Sequence, residues 1–319
     1  MSAGNRKLGI IVAMAVSAAA VIYLIAHFQN IKQLSGPPRA GTVPGTRGAV
    51  MIVAAENFYG NIAKQLGGGK VAVKSLISNP NIDPHEYESS VEDGIAVASA
   101  NIVIKNGLEY DTWMDKLLSA SPNPGRTVIT AGGQKIAPDR LPGNPHVWYG
   151  INNIKAIAKA ISEALKKTDP ADAAVFEKNL AAFNASLDPV LSKMNEIRSK
   201  YAGTPVGLTE TNFLYQTGPM GLRVLTPFKF EKAISEGNDP AAADFAAAND
   251  QINNKEIKVL IYNNQTVTPV TTNLLNAARA HGIPIVPVTE TMPSGATYQS
   301  WMLGELDALE KGLARSAGH

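Results

Sequence analysis

The chain has 319 residues, a formal net charge of +2 and no cysteine, and 45% of its residues are hydrophobic. Without cysteine it has no disulfides, thiolate metal sites, cysteine nucleophile or lipid-modified cysteine. The net charge is small and the basic residues are scattered along the chain, which argues against a nucleic acid as partner. Because single hydrophobic cores stop growing at roughly 250–300 residues, the length is compatible with two lobes.

The N-terminus carries an export pattern. Arg6 and Lys7 precede an apolar run over residues 8–28, and a basic segment before a hydrophobic one is typical of exported proteins. About 20 apolar residues can cross a bilayer and exceed the hydrophobic part of most cleaved signals. We therefore predict a signal or anchor segment over residues 1–28, with an uncleaved anchor favoured, and an extracytoplasmic location. Residues 29–48, rich in glycine and proline, predict a flexible linker.

From residue 49 onward, strand and helix patterns alternate. Strands are predicted over residues 50–54, 71–77, 102–104 and 128–129. Helices are predicted over residues 57–66, 91–100, 108–118 and 151–165. Since this alternation is typical of a parallel, doubly wound sheet, we assign residues 49–168 to an N-terminal α/β lobe.

A long amphipathic pattern follows in residues 169–202. Apolar residues recur every three or four positions from Phe176 to Ile197, which predicts one linking helix of about 30 residues and about 45 Å. Pro189 predicts a kink in it. Beyond it, strands are predicted over residues 206–209, 257–262 and 285–288, and helices over 239–252, 269–280 and 298–313. We assign residues 203–319 to a C-terminal α/β lobe.

Four candidate metal ligands follow predicted strands: His85, His146, Glu210 and Glu290. Open α/β sheets bind ligands at the carboxyl ends of their strands. Two imidazoles and two carboxylates supply four to six donor atoms, which suits a first-row divalent cation. Each residue also has a simpler interpretation. A histidine after proline is often a surface or capping residue, Glu210 could stabilise the start of a following turn, and Glu290 could lie in a surface turn.

The motifs around these residues carry a family resemblance. They are Asp83-Pro-His-Glu-Tyr-Glu88, Asn144-Pro-His-Val-Trp148, Glu210-Thr-Asn-Phe213 and Thr289-Glu-Thr-Met-Pro293. In this order and spacing they resemble the extracytoplasmic zinc- and manganese-binding receptors of ABC transporters, from about residue 49 to the C-terminus. The resemblance implies two doubly wound lobes joined by one long backbone helix, with a metal site in the cleft between the lobes. It also implies delivery of the metal to a permease, so we expect a monomeric binding protein rather than an enzyme.

The resemblance assigns the four ligands individually. His85 and His146 match the first two ligands of the family, and Glu210 stands where zinc-type members usually have histidine and manganese-type members glutamate. Glu290 lies near the fourth ligand, commonly an aspartate, with an offset of a residue or two. Trp148 is expected, together with Tyr87, to shield the pocket from water.

The metal itself stays open between Zn²⁺ and Mn²⁺. Zinc binds more tightly than manganese at most sites in the Irving–Williams order, whereas a carboxylate in place of a third imidazole raises the suitability of manganese. The residues slightly favour manganese-type ligation.

Three other functions are compatible with these residues. A metal-dependent hydrolase with a His/His/Glu site would need an open coordination position and a base, for which Glu86 is a candidate. The sequence contains no His-Glu-x-x-His, Gly-x-Ser-x-Gly or P-loop motif. A surface adhesion protein of the same fold would bind its partner independently of metal. A receptor for a chelated metal would favour an open cleft with arginines.

Overall fold

The computed structural model describes residues 48–317 apart from positions 80, 81, 83, 85 and 86. The predicted signal or anchor segment and nearly all of the predicted linker therefore lie outside the described residues, as does His85. In the part of the chain that is described, no helix combines the length and the apolar character needed to span a membrane.

Short, nearly continuous apolar runs form the central strands of the first sheet. Its strands are β1 (Val50–Glu56), β2 (Val71–Ile77), β3 (Ile102–Lys105) and β4 (Thr127–Thr130). They run parallel in the order β2-β1-β3-β4, with Val50 opposite Val71 and Ile52 opposite Ile102. The helices that connect and follow them are α1 (Asn57–Gly67), α2 (Val91–Ser99), α3 (Thr112–Ala120) and α4 (Ile151–Thr168). These elements form what we call the N-terminal half.

Helix α3 begins four residues later than its apolar spacing predicts. Leu108 and Glu109 have φ angles of 56° and 66°, in a left-handed region that a helix cannot include. The carboxylate of Asp111 accepts hydrogen bonds from the backbone N–H groups of Asn106 (2.6 Å) and Gly107 (2.7 Å). These bonds close a tight loop before the helix, which removes Leu108 from the helical face that we predicted for it.

The run predicted as one linking helix is two consecutive helices. These are α5 (Ala173–Ser186) and α6 (Asp188–Tyr201), separated at Leu187. Pro189 lies in the first turn of α6, where a missing backbone N–H costs no helical hydrogen bond. The proline therefore starts a second helix where we predicted a kink in a single one. Helix α5 packs on α1 and α4.

The second sheet repeats the topology of the first. Its parallel strands are β5 (Pro205–Leu208), β6 (Arg223–Val224), β7 (Val259–Asn263) and β8 (Ile285–Val288), in the order β6-β5-β7-β8. The accompanying helices are α7 (Leu214–Thr217), α8 (Phe228–Ser235), α9 (Ala242–Asn253), α10 (Pro269–Ala280) and α11 (Tyr298–Ala317). These elements form the C-terminal half, and α6 packs on α11. The predicted α/β class with two parallel sheets is confirmed.

One apolar core is shared by both halves. Its buried members include Ile52, Phe176, Val206 and Leu306. The opposite face of the first sheet is covered by a cluster that includes Val53 and Trp113. The opposite face of the second sheet is covered by a cluster that includes Leu260 and Tyr262. Each sheet is thus covered on both faces, and ligands can approach it only at the strand ends.

Candidate metal site

Loops of both halves bring three of the predicted ligands together. His146, Glu210 and Glu290 are buried, and each offers one ligand atom within 4.8 Å of the others. His146 lies on the loop between β4 and α4, whereas Glu210 and Glu290 each follow a strand of the second sheet by two residues. His85 falls outside the described residues, so its place in the site stays a prediction.

The orientation of the His146 ring is fixed by Asn144. The amide Nδ2 of Asn144 donates to the Thr211 carbonyl oxygen (2.7 Å), and its Oδ1 accepts from the His146 backbone N–H (3.0 Å). Oδ1 therefore faces the ring at 2.9 Å from Nδ1, so Nδ1 carries the hydrogen and donates it. The lone pair of Nε2 is left to act as a metal ligand.

A neutral His146 suits this role. Complete burial lowers the pKa of His146 to about 4, although the charge of Glu210 acts in the opposite direction. Nε2 lies 2.8 Å from Oε1 of Glu290. Since Nε2 offers a lone pair and an ionised carboxylate offers another, a contact this short requires a shared proton or a cation.

The two carboxylates share one hydrogen-bond donor. Nδ2 of Asn263, the last residue of β7, lies 3.0 Å from Oε2 of Glu210 and 3.3 Å from Oε2 of Glu290. In the described structure, Oε1 of Glu210 is buried without a hydrogen-bond partner. Burial, and after it the charge of Glu290, raises the pKa of Glu210 to about 7. A divalent cation would reduce the repulsion between the two carboxylates and would give Oε1 of Glu210 a bonding partner.

The loop that carries Glu290 is held from both halves. Oε1 of Gln265 accepts from the backbone N–H groups of Glu290 (2.6 Å) and Thr291 (3.0 Å). From α1, the side chain of Asn57 donates to the Met292 carbonyl oxygen (2.7 Å) and accepts from the Met292 N–H (3.1 Å). Glu290 is thereby positioned by backbone contacts that do not involve its own carboxylate.

Aromatic rings surround His146. The Trp148 ring stacks on Phe58 at 4.6 Å between centroids and lies edge-on to the His146 ring at 5.1 Å. Tyr110 approaches the same imidazole at 5.9 Å. The Trp148 ring is fully buried, and its position is the one expected of a side chain that shields the pocket from water.

Tyr87, the other predicted shield, makes different contacts. Its ring packs on Trp113 at 4.5 Å, and its hydroxyl donates to Oδ2 of Asp93 at 2.8 Å. It packs against the cluster on the far face of the first sheet, away from the rings around His146.

Sequence reasoning missed Asn144, Asn263 and Gln265 as site residues. Asn144 stands inside a quoted motif, and Asn263 and Gln265 end or follow a buried strand, which is the signal that identified Glu210. What the sequence does not show is which of these polar residues turn toward the ligands.

The neutral imidazole nitrogen of His146 and the paired carboxylates of Glu210 and Glu290 form a donor set that could hold a divalent transition metal. Residues 52–312 match the family "Zinc-uptake complex component A, periplasmic", and the chain belongs to this family. It is 28% identical over 170 residues to the metal ABC transporter substrate-binding lipoprotein FimA of Streptococcus parasanguinis, covering 49% of this chain and 54% of FimA. The chain thus spans about half the length of this relative.

Solved structures share the fold. The periplasmic zinc-binding protein TroA of Treponema pallidum superposes with a TM-score of 0.71 at 20% identity, covering 83% of this chain and 99% of TroA. FpvC of Pseudomonas aeruginosa, solved with Mn²⁺, also gives 0.71 at 20% identity, covering 85% of this chain and 100% of FpvC. At these identities the likeness establishes the common fold.

Proposed function

We propose that this protein binds Zn²⁺ or Mn²⁺ with high affinity outside the cytoplasm and delivers the ion to the permease of an ABC transporter. The convergence of His146, Glu210 and Glu290 within 4.8 Å is the observation that carries this proposal. Membership of the zinc-uptake family supports it. The metal is the cargo of the protein rather than a resident cofactor.

The proposed ligands are His85, His146, Glu210 and Glu290. The N-terminal half supplies the neutral nitrogens and the C-terminal half the two carboxylates. Two negative charges balance a divalent cation, which makes burial of the loaded site tolerable. Asn144 holds Nε2 of His146 toward the ion.

Binding without catalysis fits the donor set best. A hydrolytic metal needs an open coordination position for water, whereas four protein ligands would fill a zinc shell, and Trp148 packs beside His146. We therefore favour a binding protein over a metal-dependent hydrolase. Turnover of model esters would support the hydrolase, and metal-independent binding to a surface would support an adhesion protein.

The proposal extends to the arrangement of the chain. Residues 1–28 export the protein or attach it to the membrane, and 29–48 form a tether. Residues 49–168 and 203–319 act as the two lobes, with 169–202 between them. The protein acts as a monomer. The basic and apolar pattern at the N-terminus supports the first of these assignments.

Metal analysis of protein purified without added metal, followed by competition between Zn²⁺ and Mn²⁺, tests the proposal. His146→Ala should weaken binding more than about a hundredfold, because loss of even an outer partner of a ligand costs about 10–100-fold. His281→Ala is the matched control, since His281 caps the C-terminus of α10, and it should bind normally. Retention of affinity within a few-fold in His146→Ala would refute the site.

A further inference from the structure

A cavity separate from the metal site opens between loops of the two halves. Its volume is about 710 Å³, within the range of roughly 300–1,000 Å³ that is typical of pockets for small organic ligands. The loop after β3, the loop between β4 and α4, and helix α8 line it. None of the three metal ligands that the structure describes is among the lining residues. The cavity therefore has room for an organic molecule and is far larger than a single ion needs.

Hydrogen bonds hold the walls of this cavity in place. On one side, the hydroxyl of Tyr215 accepts from the Leu141 N–H and donates to the Asn144 carbonyl oxygen, both at 3.0 Å. On the other side, Nδ2 of Asn106 donates to the Pro145 carbonyl oxygen (3.0 Å), which ties the loop after β3 to the loop after β4. Because these walls are ordered in advance, a ligand that enters the cavity loses little free energy to their ordering.

The backbone is strained where the loop after β3 lines the cavity. Leu108 and Glu109 both have left-handed φ angles, 56° and 66°, which residues with side chains rarely adopt. The bonds from the N–H groups of Asn106 and Gly107 to Asp111 brace this loop. Strained residues that the surrounding structure maintains cluster at ligand-binding and switch segments. The strain therefore indicates a role for this loop beyond connecting β3 to α3.

Apolar surface is concentrated at the cavity. Leu108 and Leu141 line it and are 39% and 38% exposed. Phe228, 41% exposed, lies next to its wall, since a Cβ added to Gly143 would stand 3.7 Å from the Phe228 ring. These are three of the nine large apolar side chains that are exposed in the described part of the chain. An apolar group bound here would remove their surface from water.

The cavity also contains one unpaired charge of each sign. Arg140 makes a long bond to the Gly132 carbonyl oxygen (3.4 Å), and neither Arg140 nor Glu109 forms an ion pair within the described residues. The other two charged residues of the lining, Lys232 and Glu236, pair with each other at the end of α8. A guanidinium group can bind a carboxylate through two parallel hydrogen bonds, and a carboxylate can bind an ammonium group.

We propose that the cavity binds a small zwitterion with an apolar side chain, either a free amino acid or a short peptide. Arg140 binds its carboxylate and Glu109 its ammonium group, while the two leucines contact its side chain. A simple anion would leave Glu109 without a partner, and a simple cation would leave Arg140 without one, whereas a zwitterion pairs both. This binding does not require the metal, so it goes beyond the proposed function.

Calorimetry and ligand-detected NMR on the full-length chain, with L-leucine and the dipeptide leucyl-leucine, test the proposal. Each ligand has two blocked forms: the N-acetylated form lacks the ammonium group, and the C-terminal amide lacks the carboxylate. We expect amidation to weaken binding about 10–100-fold, the value of a hydrogen bond between charged groups. Acetylation should weaken it about threefold, because Glu109 is exposed and exposed ion pairs contribute little. Binding of leucine alone would assign the cavity to free amino acids, and binding of the dipeptide alone would assign it to peptides.

Variants of the two charged residues assign the contacts. Arg140→Gln should weaken binding of the free ligand as much as amidation does, and it should not weaken binding of the amide further. Glu109→Gln should behave in the same way toward the ammonium group and the acetylated ligand. Arg223→Gln and Glu256→Gln are the controls, since both residues are exposed and neither lines the cavity, and they should bind normally.

All titrations are made in EDTA, so that a failure of metal binding and a failure of this inference are seen separately. Absence of binding by both free ligands at millimolar concentrations would overturn the inference. Equal affinities for the free and blocked ligands would do so as well, as would an Arg140→Gln variant that binds like Arg223→Gln. If Arg140→Gln does not fold, the blocked ligands decide the matter on the original protein.

Discussion

The two halves of the molecule share one strand order but bring different chemistry to the site. The N-terminal half presents the neutral nitrogen of His146, and the C-terminal half presents Glu210 and Glu290, both of which contact the amide of Asn263. The charge of the metal-free site is therefore concentrated in one half. A cation should be attracted first to the acidic half, and the imidazole half then completes its coordination. The shared strand order thus determines where the ligands lie, and the loop sequences determine whether a ligand is an imidazole or a carboxylate.

Removing the metal should have the largest effect, and mainly on the acidic half. Stability should fall by RT ln(1 + [L]/Kd), or about 4 kcal/mol at a thousandfold excess over Kd. The protein should stay folded because each sheet is covered on both faces. Denaturant unfolding with and without EDTA measures the loss, and hydrogen exchange should rise more around Glu210 and Glu290 than around His146. Loss of far-ultraviolet circular dichroism on chelation would contradict this.

On the imidazole side, Asn144→Ala should weaken metal binding by about 10–100-fold, as expected when the partner that orients a ligating histidine is lost. The substitution removes the nearer acceptor for Nδ1 of His146, leaving Oγ1 of Thr211 at 3.2 Å, and it removes the bond to the Thr211 carbonyl. Asn152→Ala is the control, since its side chain bonds only an exposed carboxylate, that of Asp139, in the described structure. Nitrogen NMR of the His146 ring should show a mixture of tautomers in Asn144→Ala. Equal affinities in both variants would exclude the positioning role.

The acidic half should also set the pH dependence. Metal binds the ionised form of Glu210, whose pKa in the metal-free protein is about 7. Below that pH a proton must leave first, so affinity should fall by up to about tenfold per pH unit for one proton. His146, with a pKa of about 4, should compete only under more acidic conditions. Titrations from pH 5 to 8 should therefore show a slope that Glu210→Gln flattens, and persistence of the full slope would assign it elsewhere.

The smallest effect expected is a change of preference in Glu210→His. An imidazole supplies one neutral nitrogen in place of a carboxylate that can bind through both oxygens, which lowers the number of donors and the negative charge. The zinc-to-manganese affinity ratio should rise several-fold, even if both affinities fall because the ring fits less well. Competition titrations on the original protein and the variant measure this ratio. An unchanged ratio would place Glu210 outside the ligand shell.

Most of the strands and helices follow from the sequence. Continuous apolar runs predict the buried strands, and apolar residues at every third or fourth position predict the helices. The exceptions are short or strained. Strand β6 has two residues and α7 has four, which is too few for a periodic pattern. Leu108 fits a helical spacing, yet the bonds of Asp111 to the preceding loop hold it outside α3. Pro189 correctly predicts an interruption between residues 169 and 202, although the helices separate two residues earlier, at Leu187.

The candidate site was partly visible in the sequence. Motif order placed His146, Glu210 and Glu290 together, as the structure does. Asn263 carries the same signal as Glu210, a polar residue at the end of a buried strand, but nothing in the sequence ranks it. Its importance depends on its hydrogen bonds to Glu210 and Glu290, which come from distant parts of the chain.

Helix α11 has a consequence for the order in which the protein can be made. At its start, Tyr298 bonds Asn61 of α1 through its N–H and the Trp148 carbonyl through its hydroxyl, and Leu306 joins the core that begins in β1. Domains tend to fold as units while the ribosome extends the chain. Here the strand synthesised first shares its core with the helix synthesised last among the described elements. The shared core therefore stays incomplete until translation is nearly finished, and a nascent chain stalled before α11 should expose it to chaperones and proteases.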